Sequence, residues 1–340
     1  MELLVSTETK DRTRQGAVPA FRLVDSQLGQ VRKLIHAQLT APAKTAELDA
    51  ALAGGLEHID NHSGKMLRPG LVLLAGASCG RITGEHIRTA AVIEMIHNAT
   101  LLHDDVIDEG QTRRGAPTIN NLWGNESAVL LGDFLLGRVF KMCVDLEPWV
   151  GRTIASASIR VCEGELRQVA QRRNWQLSEP EYIDIITEKS ASIFSCCCYL
   201  GGLLARAGKT EAQALADFGL NAGIAFQIAD DLLDITGDED KAGKTLGSDA
   251  DKSKLTLAVI HFLKTAGEKD KDEIKDRLIA APGGNKVITE LLNRYGSIEY
   301  ARKRAGEFAD RAVAAIALLK ESDAKDALVE TAKFMADRAT

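Results

Sequence analysis

The chain has 340 residues, of which 45% are apolar, 26% charged and only 5% aromatic, and 42 Lys+Arg against 48 Asp+Glu leave a net charge of −6. This supports a large buried core, excludes wholesale disorder, and argues against a nucleic-acid binder held mainly by phosphate contacts. The seven prolines are about 2% of the chain against a usual share near 5%. Scarce proline, few aromatics and apolar stretches rich in Ala and Leu argue against a sandwich or barrel and predict an all-α protein.

In chain order, residues 1–20 form a polar, mixed-charge segment expected to be flexible, with the character of neither a signal nor a transit peptide. A 3.6-like apolar pattern predicts helices over about 21–38 and on to about 62, then one opening near Pro69, whose missing N–H costs nothing in a first turn. Further helices are expected over about 85–108, 126–146, 149–172, 179–207, 211–235 and 255–265. The stretch 109–117, EGQTRRGAP, reads as a flexible loop, and from about 271 onward the helices are shorter and heavily charged. No Pro/Ser-rich linker or fixed repeat interrupts them, so 21–340 is expected to be one domain of long stacked helices. The longest apolar run, around 192–205, is broken by Ser195 and a Gly pair and falls short of a membrane span. Cys79, Cys143, Cys162 and the run Cys196, Cys197, Cys198 lack metal-ligand spacing. They read as buried or semi-buried thiols of a reducing compartment, so a cytoplasmic location is expected.

Two segments carry the chemistry. Asp104, Asp105 and Asp108 follow Leu101-Leu102-His103, and Asp230, Asp231 and Asp234 follow Ile228-Ala229. Each is a DDxxD at the C-terminal end of an apolar helix, where residues four apart share a face. Like charges there repel, and the helix dipole disfavours acids at that end. One such segment alone reads as a solvated helix end. Two, each behind a buried helix, need a cation, and a few hard oxygens with open positions suit Mg²⁺ that takes substrate phosphates as further ligands.

Cations for such phosphates are present. Lys65 and Arg68 lie in GKMLRP at a helix start, where free N–H groups also favour anions. Arg113 and Arg114 follow the first acidic segment, and arginine offers a planar fork for phosphate oxygens. His97 stands two turns before Asp104, and Gln227 one turn before Asp230 and Asp231. Singly, each is a surface arginine, a core histidine or a half-buried glutamine.

In combination, GKMLRP, EMIHNATLLHDDVIDEGQTRRGAPT, Lys189-Ser190, FQIADDLLD and GKTLGSD resemble the trans-isoprenyl diphosphate synthase (polyprenyl synthetase) family over about 64–256. The resemblance implies the isoprenoid synthase fold, with helices around a deep central cavity. It also implies a homodimer and Mg²⁺-dependent extension of an allylic diphosphate by isopentenyl diphosphate. It assigns Asp104, Asp108 and Asp230 to metal, supported by Asp105, Asp231 and Asp234. Lys65, Arg68, His97 and Arg114 fall to isopentenyl diphosphate. Arg113, Lys189, Ser190, Gln227, Lys244 and Lys254 fall to the allylic diphosphate, with Lys189, Lys244, Arg113 and Arg114 helping catalysis. Two departures stand out: Ser190 replaces the usual threonine, and Ser253-Lys254-Leu255-Thr256-Leu257-Ala258 keeps only the lysine of the usual GKxTLP.

Gly237…Gly243-Lys244-Thr245 mimics a P-loop with the wrong glycine spacing and no preceding strand, and Asp238…Asp249 mimics an EF-hand without its ligands at positions 5 and 12. A class I terpene cyclase would not need two sets of diphosphate cations, and a non-catalytic partner subunit would be expected to have lost acidic residues. For product length, Ala99 and Thr100 lie one turn below Asp104, with Ile96, Met95 and Val92 beyond. The absence of an aromatic ring there predicts a long, octaprenyl-like product over a farnesyl or geranylgeranyl one, with Phe140 as the expected tunnel floor and the product passing to a membrane.

Overall fold

A computed structural model describes residues 18–40, 46–62, 64–237, 254–279 and 285–337. The chain enters through a 3-10 turn, Pro19–Val24, whose Ala20 and Phe21 are buried together with Val18. The packed structure therefore begins before residue 21; residues 1–17 of the expected flexible segment lie outside the described residues. Helices α1 (Asp25–Leu39), α2 (Ala46–Asn61), α3 (Leu67–Cys79), α4 (Gly84–Ile107), α5 (Ile119–Val144) and α6 (Pro148–Ala170) follow. Then come α7 (Glu179–Ile186), a π-helical turn (Thr187–Ala191), α8 (Ser192–Leu204) and α9 (Lys209–Thr236). The described chain closes with α10 (Leu257–Thr265), α11 (Glu268–Ile279), α12 (Asn285–Arg294), α13 (Ser297–Ala315) and α14 (Asp323–Ala336). The only strands among the described residues, β1 (Thr112–Arg113) and β2 (Ala116–Pro117), form a small antiparallel hairpin.

The helices sort by how much of their surface is apolar. α3 and α8 are buried nearly all round, from Leu71 to Ala75 in one and through Phe194, Cys197, Cys198 and Leu200 in the other. They cross at backbone distance, because a Cβ at Gly201 would lie 2.3 Å from the Val72 carbonyl oxygen. The cysteine run sits in this contact, where burial pushes the Cys196 thiol up to about 12; Cys162, by contrast, is exposed. α9 joins two cores. Its first half packs Leu215, Phe218 and Ala222 with α8, and its second half packs Ile224, Ile228 and Leu232 with α10 and α13. Each such large side chain contributes roughly 1.5–3 kcal/mol by leaving water. That burial holds the carboxylate-bearing end of α9 in place against its own charge repulsion. α4 is fixed likewise by α5 on one side and α3 on the other. Among the described residues no helix is long and apolar enough to cross a membrane.

Candidate active site

The last turn of α4 presents Asp104 and Asp108 half-buried and Asp105 buried. Burial pushes the Asp104 carboxyl up to about 6, helped by Glu165 and Asp108 and opposed by Lys189 and Arg113. The segment after it is no flexible loop. β1 and β2 pair around Arg114 and Gly115, both with positive φ (+54° and +74°) as a two-residue type I′ hairpin requires. The hairpin sends the two arginines to different places. Arg113 Nε and Nη2 grip the Asp105 carboxylate at 2.7–3.0 Å, so these two groups neutralise each other. Arg114 donates from Nη1 to the His62 carbonyl (2.7 Å). Lys254 Nζ approaches both Asp108 oxygens (3.4 Å), and Arg172 Nη2 lies 3.8 Å from one of them.

Lys189 sits in the π-turn, an extra-residue bulge that interrupts what the sequence predicts as one helix over 179–207. α6 comes unusually close here: a Cβ at Gly164 would lie 2.2 Å from the Lys189 amide nitrogen. From the same helix, Glu165 pairs with Lys189 Nζ (2.6 Å) and Gln168 accepts from it (2.6 Å). Arg160 clamps the neighbouring Glu188 through two guanidinium nitrogens. The turn thus brings a lysine close enough to act on the Asp104 carboxyl, while α6 supplies the groups that bind it.

On the end of α9, Asp231 and Asp234 are buried and Asp230 half-buried. Ser190 donates to Gln227 Oε1 (2.7 Å), and Gln227 donates to Asp231 Oδ1 (2.7 Å). The Tyr182 hydroxyl donates to the other Asp231 oxygen (2.6 Å). Arg68, stacked 4.8 Å over the Phe194 ring, is attracted by both Asp104 and Asp230. The two acidic ends therefore share one side of the molecule and one cation. Burial draws the Arg68 and Arg114 guanidinium groups down, and buried Glu94 is the main opposing charge for each. Burial and the charges of Arg68, Arg114 and Arg113 push the His97 imidazole well below its usual range. Lys65 lies 5.5 Å from the Phe334 ring centroid of α14.

Lys244 lies outside the described residues, as do the P-loop-like and EF-hand-like segments beyond Gly237. Along α4, Ala99, Met95 and Val92 are fully buried and Thr100 and Ile96 half-buried. Phe140 does not face them. It is 68% exposed, because α5 turns Leu131, Leu135, Val139 and Met142 inward and Phe140 falls off that face. It is not a tunnel floor within this chain. A cavity of about 270 Å³ is lined by residues including Arg32, His36, Asp60, Met66, Glu94 and Asn98.

The polyprenyl synthetase profile matches residues 49–295. The chain is 37% identical to the all-trans-nonaprenyl-diphosphate synthase (geranyl-diphosphate specific) of Rhodobacter capsulatus, over 83% of this chain and 87% of that protein. It is 33% identical to a short chain isoprenyl diphosphate synthase of Methanothermobacter thermautotrophicus, over 83% of this chain and 89% of that one. The chain belongs to the polyprenyl synthetase family. Its fold is that of a polyprenyl synthase from Caulobacter crescentus CB15 solved with calcium and isoprenyl diphosphate, with a TM-score of 0.88, 32% identity and coverage of 96% of this chain and 99% of that one. As a polyprenyl synthetase the protein is a prenyltransferase with the all-α isoprenoid synthase fold.

The family generally uses divalent metal, and the donor set fits. No three His, Cys, Asp or Glu side chains among the described residues close around one point. Carboxylates on two helix ends offer a few hard oxygens from each, a donor set that suits a divalent metal. Sequence reasoning missed Glu165, Gln168, Arg172, Tyr182 and Glu94. The i, i+3 spacing of Glu165 and Gln168, on a helix face with Gly164, was the one readable signal.

Proposed function

We propose that the protein extends an allylic diphosphate with isopentenyl diphosphate in trans, releasing diphosphate, to give a medium- or long-chain all-trans polyprenyl diphosphate. The observation that carries this is the pair of acidic helix ends flanking Arg68 and Lys189, with a further set of cations, Arg68 and Arg114, close enough to push the His97 imidazole down. One set suits a diphosphate that leaves, the other a diphosphate that stays.

Ionisation of the allylic C–O bond puts charge on the departing diphosphate. Mg²⁺ held by Asp104, Asp108 and Asp230, with Asp105, Asp231 and Asp234 in support, would supply most of the neutralisation. Lys189, drawn from Glu165 and Gln168 onto a phosphate oxygen, adds to it, as does Lys254 from its place beside Asp108, and Lys244 is assigned the same role. Lys65, Arg68 and Arg114 hold isopentenyl diphosphate so that its double bond meets the cation, which is catalysis by positioning. His97 is assigned to the same diphosphate. The departing diphosphate takes the proton lost in the last step, so no side-chain nucleophile is needed. His103 stays out of the chemistry, its Nε2 3.2 Å from the Val129 carbonyl oxygen on α5.

The small Ala99 and Thr100 favour a long product. Relatives named for both short chains and nonaprenyl chains keep a geranylgeranyl- or farnesyl-length product as the second reading. The protein works as a homodimer: Leu122, Trp123, Leu130, Phe140 and Val144 expose an apolar stripe along α5, continued by Ile159 and Leu166 on α6, more than a lone soluble subunit leaves uncovered. A cytoplasmic enzyme would release its long apolar product to a membrane. The test is incubation with Mg²⁺, labelled isopentenyl diphosphate and geranyl, farnesyl or geranylgeranyl diphosphate, followed by product sizing. Products of about six to ten units support the reading. Products stopping at three or four units support the shorter one, and no incorporation with any primer overturns both.

A further inference from the structure

We propose that Tyr182 is a positioning residue for the second acidic segment, fixing Asp231 so that Asp230 faces the metal site. The proposal rests on the prenyl-transfer reading of that site. Tyr182 is 2% exposed and Asp231 8%. Its ring is packed in the second core among Ile185, Ile186, Leu232 and their neighbours. A phenylalanine would fill that space equally well. A hydroxyl in such surroundings is costly unless it has a partner, and here the partner is a buried carboxylate at 2.6 Å.

Both oxygens of Asp231 are engaged by uncharged donors, Oδ2 by Tyr182 and Oδ1 by Gln227. Successive helical residues differ by about 100° in direction, whereas residues four apart differ by about 40°. Holding Asp231 toward α7 therefore leaves half-exposed Asp230, about 100° round the helix, pointing in a different direction. The same network reaches the lysine turn. Gln227 accepts from Ser190, next to Lys189, so α7 and the π-turn grip α9 at two points one turn apart. α7 is itself anchored at its start by the reciprocal Ser178–Glu181 cap, with Ser178 N–H donating to Glu181 at 2.8 Å. The Tyr182 hydroxyl thus sets the rotation of the acidic end of α9 and its spacing from Lys189.

The test uses the full chain as Tyr182→Phe. Melting is followed while Mg²⁺ is titrated at fixed inorganic diphosphate, beside steady-state kinetics with both substrates. Loss of a group that orients metal-binding carboxylates typically weakens metal affinity or activity about 10–100-fold. The half-saturating Mg²⁺ concentration should rise by roughly that factor and kcat should fall, with the KM for isopentenyl diphosphate unchanged within about twofold. A lower melting temperature with unchanged Mg²⁺ titration and kcat would overturn the proposal, because the hydroxyl would then serve packing alone. Asp231→Asn and Asp230→Asn keep it falsifiable should Tyr182→Phe fold poorly. Asp231→Asn should retain at least tenfold more activity than Asp230→Asn; equal abolition would make Asp231 itself a ligand and the proposal wrong. A wild-type chain that responds to Mg²⁺ and diphosphate in the melt but makes no prenyl product would sink the functional reading while leaving the role of Tyr182 readable in the titration.

Discussion

Replacing Asp104 by Asn should stabilise the ligand-free protein while destroying its activity. Burial raises this carboxyl from 3.8 to about 6, so the native state holds the proton more tightly than the unfolded chain. The sign follows: below pH 4 both states are protonated and nothing is lost, between about 4 and 6 stability falls as pH rises, and above 6 the loss is complete. Two units correspond to about 3 kcal/mol as an upper limit, and partial solvent screening brings this to about 2–3. With an unfolding entropy near 2.1 cal/mol/K per residue, that is a melting shift of about 3–4 °C for a chain of this length. Melting of Asp104→Asn and wild type in EDTA, from pH 4.5 to 8, is the assay. The variant's advantage should be small at the acid end and reach its full value above pH 7. Mg²⁺ with inorganic diphosphate should then stabilise the wild type more than the variant. A variant less stable at pH 7.5, or a gap that does not change with pH, would refute the reasoning.

Gly164→Ala should lose more than 2 kcal/mol of stability and most activity, because its Cβ would meet backbone atoms of the lysine turn at 2.2–2.8 Å; chemical denaturation checks it. Arg114→Gln and Lys65→Ala should raise the KM for isopentenyl diphosphate far more than that for the primer, whereas Lys189→Ala and Lys244→Ala should mainly lower kcat. Equal effects on both substrates from all four would contradict the division of sites. Ala99→Phe and Thr100→Phe should each shorten the product toward three or four units, read by product sizing, with isopentenyl incorporation still measurable. Leu130→Glu, on the exposed stripe of α5, should shift the protein from dimer to monomer in light scattering.

The sequence revealed what periodicity and charge can encode. The apolar runs ending in DDxxD predicted α4 and α9 to within a few residues, because acids at such helix ends are too costly to be incidental. Gly124, with φ +86°, explains why periodicity places the start of α5 near residue 126: the helix is broken there and its first turn is a separate piece. The π-turn had no signature, since Thr187 to Ala191 read like any helical residues and its close approach to Gly164 of α6 is a tertiary contact. The hairpin was hidden because Arg114 takes a positive φ that its residue type disfavours, held by the bond to His62. Phe140 was misplaced for a geometric reason. One helical residue is a 100° turn, and Val139, not Phe140, lies on the inward face. The pairing of Arg113 with Asp105 is tertiary, and neither residue's type announces it.

The central claim is that condensation occurs between the two acidic helix ends. Labelled isopentenyl diphosphate and an allylic primer, supplied with Mg²⁺ to wild type, Asp104→Asn and Asp230→Asn at pH 7.5, test it directly. The account predicts diphosphate release matched one to one by label incorporated in the wild type, and loss of both by at least a hundredfold in each folded variant. Near-normal incorporation in either variant would contradict it.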